Sequence, residues 1–237
     1  MTDSDSQGCG GVSRRSFLGG SVTGIAGSIL GGVSMEIFNA EMLEAQTTMT
    51  PDEALRHLME GNERFVFGKM AELQQSLNIL RQRTVEKQEP FAAILSCADS
   101  RVPVELVFDQ TIGELFVTRV AGNFSTPEIM GSLEYGAAVL GTKVLMVLGH
   151  SSCGAVHATM DAKAVPGEIS SLFAHIQPAV DIAAGDLEKA IKENARLQAK
   201  LLAESSTVLS GLVKEGKLKI VAGYYDLGTG KVSLIGG

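Results

Sequence analysis

The chain predicts an α/β protein: a central, mostly parallel β-sheet flanked by helices, with an N-terminal helical arm. Three observations carry this. Short apolar runs of strand length alternate with segments whose apolar residues keep helical spacing, the order that builds a parallel sheet. One run, 143–148, is nearly all apolar, as a parallel strand buried on both faces requires. Two segments rich in cysteine and histidine fall directly after predicted strands, where open α/β sheets bind their ligands.

The elements follow in order. Ser13-Arg14-Arg15-Ser16-Phe17-Leu18 precedes a weakly apolar stretch, 18–33, diluted by Gly and Ser. That stretch falls short of the roughly 20 apolar residues of a membrane span. The pattern predicts a twin-arginine signal over residues 1–45, delivered to the twin-arginine export machinery. A periplasmic or extracytoplasmic location follows, membrane-anchored if the signal is uncleaved. Leu43-Glu44-Ala45 offers a small-residue end, but the cleavage position stays open.

Residues 46–237 form the predicted domain. Thr50 caps a helix, with Pro51 at its first position and Glu53 completing a capping box. A polar, partly helical stretch over 74–87 ends at Gln88-Glu89-Pro90. Strands are predicted at 91–95 and 115–120. Thr126-Pro127 opens a helix bearing Ile129, Met130, Leu133, Ala137 and Leu140. The strand at 143–148 runs into His150, after which Ser151 is placed to cap a helix. A long helix is expected over 186–215. Strands 217–226 and 231–235 are joined at the tight turn Leu227-Gly228-Thr229-Gly230.

Composition excludes some functions. The formal net charge is −7 and no Lys/Arg cluster is present, which argues against nucleic-acid binding. With no Trp and three Tyr, the chain has little to stack bases on. Three cysteines cannot all pair internally, and Cys9 lies in the signal. The domain therefore keeps Cys97 and Cys153 without a disulfide framework.

Those cysteines carry the chemistry. Cys97 opens Cys97-Ala98-Asp99-Ser100-Arg101, and Cys153 lies in Gly149-His150-Ser151-Ser152-Cys153-Gly154. Two thiolates and an imidazole suit a tetrahedral metal. A structural zinc site closes with four protein ligands, whereas a catalytic one leaves a position open. Asp99 either fills the fourth place or holds a water there. His150 and Cys153, at i and i+3, are expected on one face of a helix start, whose partial positive charge favours thiolate. His157, four residues on, is a weaker candidate for ligand or proton shuttle. His57 and His175 carry no motif and read as packing or surface residues.

The paired motifs resemble those of the β-class carbonic anhydrases, and the likeness runs roughly from Pro51 to Leu234. The resemblance implies one zinc ion per chain on Cys97, His150 and Cys153. It also implies a homodimer or higher oligomer, and reversible hydration of carbon dioxide to bicarbonate and a proton by attack of zinc-bound hydroxide. Asp99 would either block the zinc or, drawn away by Arg101, orient the nucleophile. Gln88, Phe116 and Tyr135 match the substrate pocket, to which a neighbouring subunit contributes some residues. A backbone N–H near Gly154 would hold the product. Two alternatives share the ligand set: a zinc hydrolase of carbonyl sulfide or carbon disulfide, and a non-catalytic zinc-stabilised oligomer closed by Asp99.

Overall fold

The computed structural model describes residues 47–72, 81–82 and 84–236. The twin-arginine segment and most of the polar stretch over 74–87 lie outside these residues. Among the described residues, no helix is long and apolar enough to cross a membrane.

Helix α1, Pro51–Val66, starts as its sequence dictates. Thr50 Oγ1 accepts the Glu53 N–H at 3.3 Å while Glu53 Oε2 accepts the Thr50 N–H at 2.8 Å. The helix buries Ala54, Leu58, Gly61 and Asn62. Gly61 allows a very close approach, since a Cβ there would lie 1.9 Å from the carbonyl oxygen of Phe108. Asn62 ties three segments together. Its Nδ2 donates to the carbonyls of Val107 (3.0 Å) and Gly230 (2.9 Å), and its Oδ1 accepts the Val232 N–H (2.8 Å).

Five strands, β1 (Ala92–Ser96), β2 (Leu115–Arg119), β3 (Val144–His150), β4 (Lys219–Tyr225) and β5 (Val232–Ile235), form one sheet in the order β2-β1-β3-β4-β5. The first four are parallel; β5 returns antiparallel to β4. The turn between them is held by Asp226 Oδ1, which accepts from the Thr229 N–H and hydroxyl. Alternation along β1 and β3 splits the core. Ala92, Ile94, Val144, Met146 and Leu148 pack toward Leu58, Val107 and Phe108, whereas Ala93, Leu95, Leu145 and Val147 pack toward Leu133, Ala195 and Leu202. Both central strands are buried throughout, as expected of parallel strands covered on both faces.

The crossovers carry the helices α2 (Val104–Val107), α3 (Pro127–Glu134), α4 (Gly154–Asp161), α5 (Phe173–Ala183), α6 (Leu187–Ser205) and α7 (Thr207–Lys214). Thr126 caps α3, which continues into a π turn at Tyr135–Val139. Two expectations are corrected. The single helix expected over 186–215 is two, because Ser206 leaves helical geometry (φ −88°, ψ 119°). Its hydroxyl accepts the Leu209 N–H and donates to Glu134, so a local cap outcompetes helix continuation. Ser151 caps nothing; its Oγ accepts the Leu227 N–H, and Cys153 occupies the cap position of α4. Helix α5 was not foreseen. It contains Pro178, a residue that reads as a helix breaker.

Candidate metal centre

β1 and β3 are adjacent and parallel, with Ser96 paired to Leu148. Cys97 follows β1 and His150 ends β3, so both emerge at the carboxyl edge of the sheet. Residues 56 apart in sequence thereby meet: the Cys97 and Cys153 sulfurs lie 4.0 Å apart. The ligand atoms of Cys97, His150 and Cys153 all fall within 4.8 Å of one another, and all three residues are buried. A tetrahedral ion with Zn–S bonds of about 2.3 Å sets its sulfurs roughly 3.8 Å apart, so the donors fit such an ion.

The imidazole points the same way. His150 Nδ1 lies 3.0 Å from the Ser151 carbonyl, which can only accept, so Nδ1 carries the proton. Nε2 keeps its lone pair and is buried with no hydrogen-bond partner among the described residues. A buried ring nitrogen with a free lone pair beside two sulfurs is what a metal-binding imidazole presents.

His150 and Cys153 do not share a helical face, contrary to expectation. His150 belongs to β3, and Cys153 (φ −66°, ψ 115°) precedes the first helical residue. Between them Ser152 takes φ +55°, and this left-handed bend folds the sulfur back to the imidazole. The Cys153 S–H stabilises the Cys97 thiolate; with backbone N–H groups, Gly122 among them, it outweighs burial and holds the Cys97 pKa down at about 4. The Cys97 thiolate and burial push the Cys153 thiol up.

Asp99 and Arg101 converge in the bend after β1. Asp99 Oδ1 accepts the Arg101 backbone N–H and Nε, both at 2.9 Å, and Oδ2 accepts Nη2 at 2.8 Å. The guanidinium also donates to the Ser152 carbonyl at 3.2 Å, linking the two motif loops. Arg101 holds the Asp99 carboxyl well below the usual carboxylate range despite partial burial. Asp99 Oδ2 stands 3.8 Å from His150 Nε2.

Sequence reasoning missed Arg119. It ends β2 beside Ser96, and its Nε and Nη2 donate to the carbonyls of Cys97 (2.9 Å) and Asp99 (2.6 Å). A cation closing a strand parallel to the cysteine-bearing one was the available signal.

The remaining candidates lie elsewhere. Gln88 precedes β1, at the opposite end of that strand from Cys97. With Tyr135 it lines a groove of about 710 Å³ that none of Cys97, Asp99, His150 and Cys153 borders. Phe116, on β2, packs 6.3 Å from the Tyr135 ring. A single chain therefore does not bring Gln88, Phe116 and Tyr135 to the cysteines. Gly154 is exposed at the first position of α4, and a Cβ there would meet nothing within 4 Å. His157 is exposed, 3.9 Å from Asp161, and stands outside the ligand cluster. His57 packs edge-on against Phe91 and His175 stacks on Phe124, as packing residues do.

The fold and the cluster define an α/β protein with three buried donors at its strand ends that could hold a metal ion. Residues 92–232 match the family model described as Carbonic anhydrase. The chain is 34% identical over 192 residues to Carbonic anhydrase 2 of Mycobacterium tuberculosis (strain CDC 1551 / Oshkosh), spanning 78% of this chain and 92% of that protein. It is 34% identical over 194 residues to a carbonic anhydrase of Mycolicibacterium smegmatis, spanning 78% and 93%. In fold it matches a tetrameric β-carbonic anhydrase of Sordaria macrospora with a TM-score of 0.64 at 19% identity, over 77% of this chain and 97% of the other. The chain belongs to the carbonic anhydrase family. Within that family it is an enzyme of the β class, a carbonate dehydratase.

Proposed function

We propose that this enzyme hydrates carbon dioxide reversibly to bicarbonate and a proton. One zinc ion per chain is held by Cys97, His150 and Cys153, with the fourth position open to solvent. The state of Asp99 carries this reading. Both its oxygens are engaged by Arg101, while the unpartnered His150 Nε2 lies 3.8 Å away. A carboxylate closing the site would turn an oxygen to the ion; this one turns to a guanidinium, whose fork suits it.

Zinc bound there supplies Lewis acidity that makes water nucleophilic near neutral pH, less strongly with two thiolates than with three imidazoles, so activity favours alkaline pH. Asp99, kept ionised by Arg101, can only accept a hydrogen bond. It therefore takes the hydrogen of the attacking oxygen and leaves a lone pair free for the substrate carbon. Arg119 fixes the backbone that carries Cys97 and Asp99. The N–H of Gly154, in the first turn of α4, is available to negative charge on the product. The groove lined by Gln88 and Tyr135 fits a role in a neighbour's site within a homodimer or higher oligomer. Exposed Tyr135 and Ile112 there favour coverage by a second copy.

Stopped-flow hydration of the zinc-loaded chain is the test. Turnover rising with pH supports the reading; one zinc per chain without hydration from pH 6.5 to about 9 overturns it. Asp99→Ala is expected to lose turnover, and a gain would mark Asp99 as a blocking ligand. Turnover of carbonyl sulfide or carbon disulfide in place of hydration would move the substrate to that analogue. We infer further that residues 1–45 direct twin-arginine export, on the order of Arg14, Arg15, Phe17 and the apolar stretch. Replacing both arginines by lysine should hold the protein in the cytoplasm, and unchanged fractionation would refute this.

A further inference from the structure

The loop after β2 reaches the cluster through its backbone. Gly122 donates its N–H to Cys97 Sγ at 3.3 Å. Gly122 adopts φ +90°, and a Cβ there would sit 2.6 Å from Ile176 Cδ1, so glycine and this backbone shape go together. The loop is fastened from the other side by helix α6. Asn194 Nδ2 donates to the Gly122 carbonyl at 2.8 Å. Asn194 is 1% exposed, and its Oδ1 finds no partner among the described residues. An amide that gives up half its hydrogen bonding in the interior does so for the bond it keeps.

We infer that Asn194 is a positioning residue for the metal centre: by holding the backbone conformation of Gly122 it aims that residue's N–H at the Cys97 sulfur, and so sets how strongly that sulfur binds and donates charge to the ion. The inference rests on the zinc reading above. A hydrogen bond to a ligating thiolate withdraws charge from it and fixes its lone-pair direction, and such outer partners tune metal affinity and electronics. Gly122 is held on both sides of its Cα: the N–H of the 121–122 peptide reaches the sulfur, and the carbonyl of the 122–123 peptide is tied to α6. Loss of the amide frees the 122–123 carbonyl, Gly122 leaves its φ of +90°, and the N–H on the other side of its Cα leaves Cys97.

The full chain loaded with zinc, cobalt(II) or cadmium-113 tests this without an activity assay. Asn194→Ala is expected to weaken zinc binding about 10–100-fold in competition with a chromophoric chelator. It should also shift the sulfur-to-cobalt charge-transfer band. Asn194→Asp, which sets a carboxyl against the Gly122 carbonyl, should do the same. A purely architectural role would lower the melting temperature and leave affinity and band unchanged, and that result overturns the inference. If neither variant folds, cadmium-113 NMR of the parent decides: a coupling to the Gly122 amide proton is expected, and its absence overturns the inference. A parent chain that takes up no metal sinks the zinc reading itself, and this inference with it. A parent that binds metal while the variants match it sinks only the role of Asn194.

Discussion

Asn62 fastens helix α1 to the rest of the domain, and replacing it gives a calculable result. The residue is 2% exposed and makes three hydrogen bonds, to Val107, Gly230 and Val232. Asn62→Ala removes all of them and leaves the Val232 N–H buried without that acceptor. At about 0.5–1.5 kcal/mol net per bond, the expected loss is roughly 3 kcal/mol. For a domain of this size that lowers the melting temperature by about 6–12 °C. Asn62→Asp keeps the shape but sets a carboxyl against two carbonyl oxygens, to which it can donate only when protonated. Its folded pKa must then rise above the unfolded value of about 3.9. Between the two values the folded state binds more protons, so this group's contribution falls as pH rises and recovers as pH drops. The native carboxylates run oppositely. Arg101 holds Asp99 low, and at Asp109 the hydrogen bonds from Arg64 and the Ala71 N–H outweigh burial. The stability these two add is present above their unfolded pKa and lost as pH falls through the folded one. Thermal melts at equal protomer concentration, at pH 7 and pH 5, are the assay. Asn62→Ala within about 0.5 kcal/mol of the parent, or Asn62→Asp tracking the parent's pH dependence, would refute the reasoning.

Arg101→Ala releases both Asp99 oxygens beside the ion; hydration should fall on the order of 100-fold, with a changed cobalt(II) spectrum, and parental values for both would refute the dyad. Arg119→Ala frees the carbonyls of Cys97 and Asp99 and should cost about 10–100-fold in kcat/KM, measured by stopped flow; an unchanged rate would show that the loop holds itself. Gly61→Ala drives a Cβ into the Phe108 carbonyl at 1.9 Å and should cost at least about 3 kcal/mol, read as a lowered urea midpoint; a parental midpoint would mean that α1 can shift freely.

The parallel sheet was legible because its strands are short apolar runs set between turn residues, and the cysteine–histidine cluster because its ligands end such runs. The capping box at Thr50 was readable outright, since it depends on residues three apart. Less local features were hidden. The cap at Ser206 is local, but its hydroxyl also donates to Glu134, 72 residues away, a partner outside any local pattern. Arg119 gains its role from lying beside Ser96 in the sheet, a neighbour that no spacing reveals. The i, i+3 spacing of His150 and Cys153 misled, because it matches one helical turn while the chain between them takes a left-handed bend at Ser152. Gln88, Phe116 and Tyr135 were recognisable by type, but a single chain leaves them away from the cysteines.

The register of β1 against β3 has a consequence for how the protein matures. Cys97 and His150 become neighbours only once the long crossover between them has closed and the two middle strands have locked in step. Before that pairing the chain offers a cation only a lone Cys97 or a His-x-x-Cys fragment, so tight uptake would report that β1 and β3 have paired. An ion seated there would clasp the seam between those strands, and slippage of either would have to eject it first.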